Sequence, residues 1–289
     1  MPVDHRAVLT RPSPPPDHTL RYGDHPDQVA DLRVPPGTAP APLVVVVHGG
    51  FWRAAYDRAH TGPLAADLAA RGWAVAQLEY RRTGQPGGGW PGTFADVAAG
   101  LSLVPALAAE VAPVADGPPV VLGHSAGGHL ALWWAGLGRV RAVVALAPVG
   151  DLPSAYRLGL DDGAVAELLG GGPEERGPRY AYAQPAPAAD VPVTVVHGTE
   201  DAQVPVAMSR DLVARLRAAR AGGTGVTGSD GRGPAEPAHR PGPAPVELVE
   251  LPGVEHFALI DPESDAWPVV VRALEAARAG RAGDPGPTR

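Results

Sequence analysis

A serine flanked by glycines, Gly123-His124-Ser125-Ala126-Gly127, stands between a short apolar run over 119–122 and a longer one over 128–135. The first run has strand character and the second that of a buried helix. G-x-S-x-G at such a junction makes a sharp elbow that lifts the serine hydroxyl above a sheet. Glycine is needed two positions to either side, because a Cβ there would collide with neighbouring backbone. A serine hydroxyl is a poor nucleophile until a base takes its proton, so the chain must also supply a histidine and an acid.

Behind this elbow the order is serine, acid, histidine. An apolar run over 192–196 leads into His197-Gly198-Thr199-Glu200-Asp201, and an alternating run over 246–251 leads into Pro252-Gly253-Val254-Glu255-His256-Phe257. Each candidate thus lies just past the C-terminal end of a strand, where open parallel sheets place their sites. Ser125 is read as nucleophile, His256 as general base and then acid, and Asp201 as the group that orients His256 and stabilises its imidazolium. Glu200 and Asp261 compete with Asp201, which is favoured because it closes the Gly turn. His197 and His239 compete with His256; His197, at a strand end, reads as a structural hydrogen-bonding residue.

Upstream, the apolar run over 43–47 ends in His48-Gly49-Gly50-Phe51-Trp52. Glycines there let backbone N–H groups turn toward a substrate carbonyl oxygen. The expected donors are the N–H groups of Gly50, Phe51 and Ala126, and such a hole is worth roughly 3–4 kcal/mol per donor. Trp52 and Trp90 are candidates to line the pocket, with core or loop packing the equal alternative. His124 and His129 flank the elbow at a spacing that does not match a helical two-histidine metal pair, which favours packing or supporting roles. Asp96 reads as support for a helix N-terminus, and Arg81-Arg82 as a solvated or salt-bridging pair. The chemistry calls for no metal and no cofactor.

Composition narrows the field further. The chain of 289 residues carries a formal net charge of -7 and contains no Lys, no Asn and no Cys. Without Lys there is no Schiff-base, Ser-Lys or P-loop chemistry. Without Cys there is no thiol nucleophile, disulfide or Cys-ligated metal. Without Asn the oxyanion donors must be backbone groups. The acidic balance and scattered arginines argue against a nucleic-acid partner. Residues 1–18 hold no apolar leader, and no apolar stretch approaches membrane-spanning length, so a soluble cytoplasmic protein without a membrane partner is expected.

Strands alternate with helices, the pattern of a mostly parallel sheet covered on both faces. Residues 1–18 form a Pro-rich tail, ordered by contact or loose. Residues 20–34 suggest an antiparallel edge hairpin. Strands are predicted over 43–47, 73–78, 119–122, 141–146, 193–197 and 246–251. Helices are predicted over 57–71, 93–111, 128–135, 205–220 and 264–278. Thr93 is the expected cap of its helix, and Pro105 is expected to kink or break it. The stretch 148–191, rich in Gly and Pro, with a helical piece at 162–169, interrupts the alternation on the active-site side and reads as a small cap. Residues 221–243 show no periodicity and read as a disordered insertion. The main domain therefore runs over 19–280, followed by a loose tail over 281–289.

With these motifs placed, the chain resembles an α/β-hydrolase over about 20–276. It looks closest to esterases of the hormone-sensitive-lipase and feruloyl-esterase-like type and to kynurenine formamidases. His48-Gly49-Gly50-Phe51-Trp52 resembles the HGGxW motif of the formamidase branch more than the HGGG of lipases. Glu79-Tyr80-Arg81-Arg82, Gly87-Gly88-Gly89-Trp90-Pro91 and His197-Gly198-Thr199-Glu200-Asp201 with Val204-Pro205 also look like this group. The resemblance implies Ser125, Asp201 and His256 as catalytic residues and Gly50 and Phe51 as oxyanion donors. One departure is Gln184-Pro185, where relatives often carry Ser-Pro. A serine hydrolase cleaving carboxylic esters of small or medium size is the expectation. Arylformamidase and small peptidase or amidase are the rivals, and a non-catalytic binding protein or a lyase stands further off.

Overall fold

The computed structural model describes residues 5–222 and 243–279. The expected insertion falls, over 223–242, outside the described residues, as do the tail beyond 279 and His239. A 3-10 turn, His5–Thr10, opens the described chain. It is followed by β1 (His18–Arg21), β2 (Val29–Arg33), β3 (Leu43–Val47), α1 (Gly62–Ala70), β4 (Ala74–Leu78), α2 (Gly92–Val111), β5 (Val120–His124), α3 (Ala126–Trp134) and β6 (Ala142–Leu146). Three short helices come next, α4 (Leu152–Arg157), α5 (Ala164–Leu169) and α6 (Pro173–Ala183). The alternation resumes with β7 (Val193–Gly198), α7 (Val206–Gly222), β8 (Val246–Leu251) and α8 (Trp267–Arg278).

The strands form one eight-stranded sheet in the order β1-β2-β4-β3-β5-β6-β7-β8. β1 and β2 make the expected antiparallel hairpin, β2 pairs antiparallel with β4, and every other pairing is parallel. β3 shows why its sequence is a continuous apolar run. Val45 and Val47 pack into the core on one face and Val44 and Val46 into the core on the other. Both faces are covered, so both registers of the period-two pleat must be apolar, each fully buried valine contributing about 1.5–3 kcal/mol. From β3 the chain passes to β4 on one side, then returns to β5 on the other. The gap above β3 and β5 is therefore the topological switch point, where such sheets hold their sites.

α2 departs from expectation in three ways. It runs unbroken through Pro105 to Val111. Phe94, Val97, Leu101, Val104 and Ala108 are all buried along one stripe, and that burial exceeds the about 3 kcal/mol of a mid-helix proline. Thr93 is not its cap; Pro91 holds that position. The Thr93 hydroxyl instead donates to the Arg81 carbonyl (2.6 Å) and accepts from Gly89 N–H (3.0 Å), stapling the Gly-rich loop to the end of β4. Contrary to the sequence expectation, α2 is also long and apolar enough to cross a membrane by length and composition. In this fold it covers the sheet, packed on β4, β1, β2 and α3.

The start of the described chain is ordered by contact: Val8 is fully buried, and the His5–Thr10 turn packs on a second 3-10 turn, Phe257–Ile260, just after β8.

Candidate active site

The elbow owes its geometry to sterics at two glycines. A Cβ on Gly123 would lie 2.3 Å from the Gly127 carbonyl oxygen, and one on Gly127 would lie 2.0 Å from that of Val47. Neither position accepts a side chain. Between them Ser125 sits at φ 56, ψ -118, a conformation that costs of order 1–3 kcal/mol in a non-glycine residue. The turn is held by Ser125 N–H donating to the Leu146 carbonyl (2.8 Å), while the Ser125 carbonyl accepts from His129 N–H (3.1 Å). As the first residue of α3, Ala126 has an N–H without an intrahelical acceptor, at the positive end of the helix dipole.

Beside the elbow the chain leaves β3 through three successive residues of positive φ: Gly50 (105), Phe51 (49) and Trp52 (58). Arg53 N–H closes the turn on the Gly50 carbonyl (2.9 Å). The turn lies tight on the elbow, since a Cβ on Gly49 would stand 3.1 Å from that of Ser125. Its base is a buried polar network. His48 bonds the Gly49 carbonyl through Nδ1 (2.8 Å) and Glu79 through Nε2 (3.0 Å). Both ring nitrogens face oxygen partners, so the ring is held at both edges. The ring stacks on Tyr80 (centroids 4.4 Å), whose hydroxyl donates to the His48 carbonyl (2.8 Å). Burial opposes the charge of Glu79, but His48, Arg82 and the Arg58 N–H outweigh it and hold its carboxyl down at about 2. Sequence reasoning missed this role of Glu79; the available signal was an acid just past the C-terminal end of β4.

The acid and the histidine meet as expected. Asp201 Oδ2 lies 2.5 Å from His256 Nδ1. Its Oδ1 accepts from the N–H groups of Gln203 and Val204 (both 2.8 Å), and His197 Nε2 stands 3.2 Å from Oδ2. Burial alone would raise its pKa, yet the hydrogen bonds from His197, His256 and the Val204 N–H hold the carboxyl well below the usual range. An ionised Asp201 accepts a hydrogen bond from His256 Nδ1–H, which fixes the tautomer whose lone pair is on Nε2. His197 also bonds the Val204 carbonyl (2.9 Å) and the Ser209 hydroxyl (2.6 Å), so it braces the acid loop, the structural role expected of it. The two rival acids are engaged elsewhere: Asp261 is bonded to His5 and Arg11, and Glu200 is exposed.

His256 is linked to the elbow through His124, whose Nε2 bonds the His256 carbonyl (3.2 Å) with ring centroids 4.5 Å apart. Burial, reinforced by His256, pushes the His124 pKa well below its ordinary value, so its ring is neutral and Nε2 is the donor. Glu255 accepts from the N–H groups of Phe257 and Ala258 (3.1 and 2.9 Å) and caps the turn that carries His256. His129 is a packing residue. Its Nε2 bonds the Ala183 carbonyl (2.8 Å), and burial lowers its pKa to about 4.

The two tryptophans divide. Trp52 is wholly buried and stands edge-on to His129, so it packs the turn over 49–52 against α3. Trp90 lines a cavity of about 390 Å³ with Phe94, Trp133, Pro178, Arg179 and Tyr182. Asp96, the fifth residue of α2, does not serve the helix N-terminus. It takes bonds from the Arg81 backbone and guanidinium (3.0, 2.7 and 2.6 Å) and from Gln28 (2.7 Å). Arg82 pairs with Asp27 and Glu79 (both 3.3 Å), so the arginine pair is a salt-bridging one. Gln184, the departure from Ser-Pro, ties the end of α6 to Asp151 (2.9 Å) and to Leu152 N–H (3.0 Å).

A mostly parallel eight-stranded sheet, covered on both faces, with a serine elbow after its central strand, defines the α/β-hydrolase fold. Esterase B from Lactobacillus rhamnosis shares it at TM-score 0.71 and 21% identity, over 96% of this chain and 90% of that one. A propionate-bound esterase, Est2 from Thermogutta terrifontis, shares it at TM-score 0.67 and 20% identity, over 94% and 96%. The family model described as BD-FAE matches residues 30–216, and the chain belongs to that family. Two curated proteins of Mycobacterium tuberculosis are similar in sequence. The probable carboxylic ester hydrolase LipM is 29% identical over 212 residues, which is 62% of this chain and 46% of LipM. Esterase LipC is 29% identical over 225 residues, 68% of this chain and 54% of LipC. The chain thus spans about half the length of the curated relatives it matches.

Proposed function

We propose that this protein hydrolyses carboxylic esters of small or medium acyl groups through an acyl-enzyme on Ser125. The observation that carries the reading is the buried Asp201–His256 pair beside a strained serine elbow. His256 Nε2 takes the Ser125 proton as the oxygen attacks the acyl carbon. The N–H groups of Gly50, Phe51 and Ala126 receive the developing oxyanion, each worth about 3–4 kcal/mol. His256 then gives its proton to the leaving alcohol, and water releases the acid by the same roles reversed. Asp201 keeps the imidazole in the productive tautomer and balances its transient charge. The names of LipM and LipC, and the propionate bound by Est2, favour a small-acyl ester as substrate. The helices between β6 and β7 are proposed as the cap over the cleft.

The test is a panel of p-nitrophenyl acetate and longer acyl esters, N-formylkynurenine and an aminoacyl anilide, run on wild type and Ser125→Ala. Ester turnover that exceeds the other two and disappears in Ser125→Ala is expected. Faster turnover of the formamide or the anilide would move the assignment to an amidase. A folded Ser125→Ala variant that retained substantial activity would remove Ser125 from the mechanism.

A further inference from the structure

The turn that carries His256 is held from both ends, and the two holds differ in kind. On the strand side it is sewn to the acid loop by backbone bonds: Thr199 N–H to the Leu251 carbonyl and Glu200 N–H to that of Val254 (both 3.0 Å). On the far side the turn ends at Asp261, a carboxylate with no solvent exposure. The partners of that carboxylate come from the beginning of the chain, some 250 residues away. Arg11 binds it with two guanidinium nitrogens (2.5 and 3.2 Å), and His5 Nδ1 stands 2.9 Å from it. Arg6 lies over the ring of Phe257 (5.2 Å), and that ring packs edge-on against His256 itself (5.2 Å). Asp261 also accepts from Glu263 N–H (3.0 Å), which fixes its own backbone.

We propose that the segment 5–11 is a tether that sets the position of the general base, with Arg11 and Asp261 as positioning residues. This rests on the proposed roles of Ser125 and His256. The argument is one of leverage. His256 must hold Nδ1 on Asp201 and Nε2 toward the nucleophile at once, and the short 3-10 turn behind it, held locally by Glu255 and by Ser264 Oγ on the Ala258 carbonyl (2.6 Å), has its far end anchored through Asp261. A bidentate arginine on a buried carboxylate is directional in a way that a single charge contact is not. Pulling on Asp261 therefore fixes the rotation of the turn, and with it the aim of the imidazole. A misplacement of about 1 Å in a reacting group costs on the order of 10²-fold in rate. The tether touches no substrate, so its loss acts on kcat and not on binding.

The experiment uses the full chain with Arg11→Gln, Arg11→Lys, Asp261→Asn and the double variant Arg11→Gln/Asp261→Asn. Three quantities are read: kcat and KM for a p-nitrophenyl ester, the rate of Ser125 labelling by a fluorophosphonate, and the downfield proton resonance of His256 Nδ1 on Asp201. Arg11→Gln is expected to lower kcat and the labelling rate together by about 10²-fold with KM little changed, and to broaden or shift the resonance. Arg11→Lys restores part of both. The double variant leaves no buried charge without a partner; it is expected to regain thermal stability while kcat stays low. That divergence separates positioning from mere structural support. Recovery of kcat along with stability in the double variant would overturn the proposal, as would an unchanged resonance and kcat in folded Arg11→Gln. If wild type cleaves no ester, the functional reading fails, and the resonance still decides whether the tether aims His256.

Discussion

Replacing Glu79 by Gln removes one charge from beneath the turn over 49–52 while keeping the shape of the side chain. The structure sets the size of the effect. The Glu79 carboxyl, 4.5 in an ordinary setting, is held at about 2 by His48, Arg82 and the Arg58 N–H against the cost of burial. At about 1.4 kcal/mol per unit this is about 3 kcal/mol of folding stability at neutral pH. That agrees with the 3–5 kcal/mol typical of breaking a buried ion pair. The sign follows from the depressed value. The contribution is complete above the unfolded-state pKa of 4.5 and is lost as pH falls from there toward 2. Urea unfolding of wild type and Glu79→Gln at neutral pH should therefore differ by about 3 kcal/mol, and the difference should narrow between pH 4.5 and 2. A neutral-pH difference under about 1 kcal/mol, or one that did not change on acidification, would refute the account of the network. The variant should also lose kcat, because His48 loses the partner that fixes its ring against the Gly49 carbonyl.

Asp201→Asn should lower kcat by about 10⁴-fold with the fold intact, since an amide can present its N–H to His256 Nδ1 and stabilise the wrong tautomer; steady-state kinetics and circular dichroism check this. Gly127→Ala should abolish soluble folded protein, because its Cβ would meet the Val47 carbonyl at 2.0 Å; expression and thermal melting read it. Arg53 reaches from the end of the positive-φ turn to Asp161 and Glu167 beyond α4 (both 2.6 Å). Its pairs are partly exposed, so Arg53→Gln should cost under about 1 kcal/mol in stability yet raise KM, and in wild type KM should rise with added salt.

Much of this architecture was legible because its signals are local. The valine run of β3, the glycines around Ser125 and the Gly turn before Asp201 each reflect a constraint within a few residues: a strand covered on both faces, a backbone collision, a tight turn. The pairing of Asp201 with His256 could be inferred because chain order and strand ends restrict where an acid and a base can meet. What escaped were contacts whose partners lie far apart in sequence. Glu79 gains its meaning only from His48, Arg58 and Arg82, and Asp261 only from Arg11 and His5. Thr93 had a capping residue's chemistry, but a carbonyl on the neighbouring strand end competed for its hydroxyl and won. Pro105 broke a local rule without breaking the helix, because five buried neighbours on the same stripe outvoted one missing N–H. For Trp52 the sequence left pocket lining and core packing as equal alternatives; its burial and its edge-on contact with His129 of α3 place its ring in the core.

The contact of Gly127 with Val47 and His48 welds the elbow helix to the strand that leads into the turn over 49–52. The proposed nucleophile and the proposed oxyanion donors consequently ride on one rigid body. Variation that alters the reagent's choice of acyl or alcohol group cannot be accommodated by sliding one past the other. It has to be absorbed elsewhere, and the short helices between β6 and β7 are where directed evolution of this scaffold should search first.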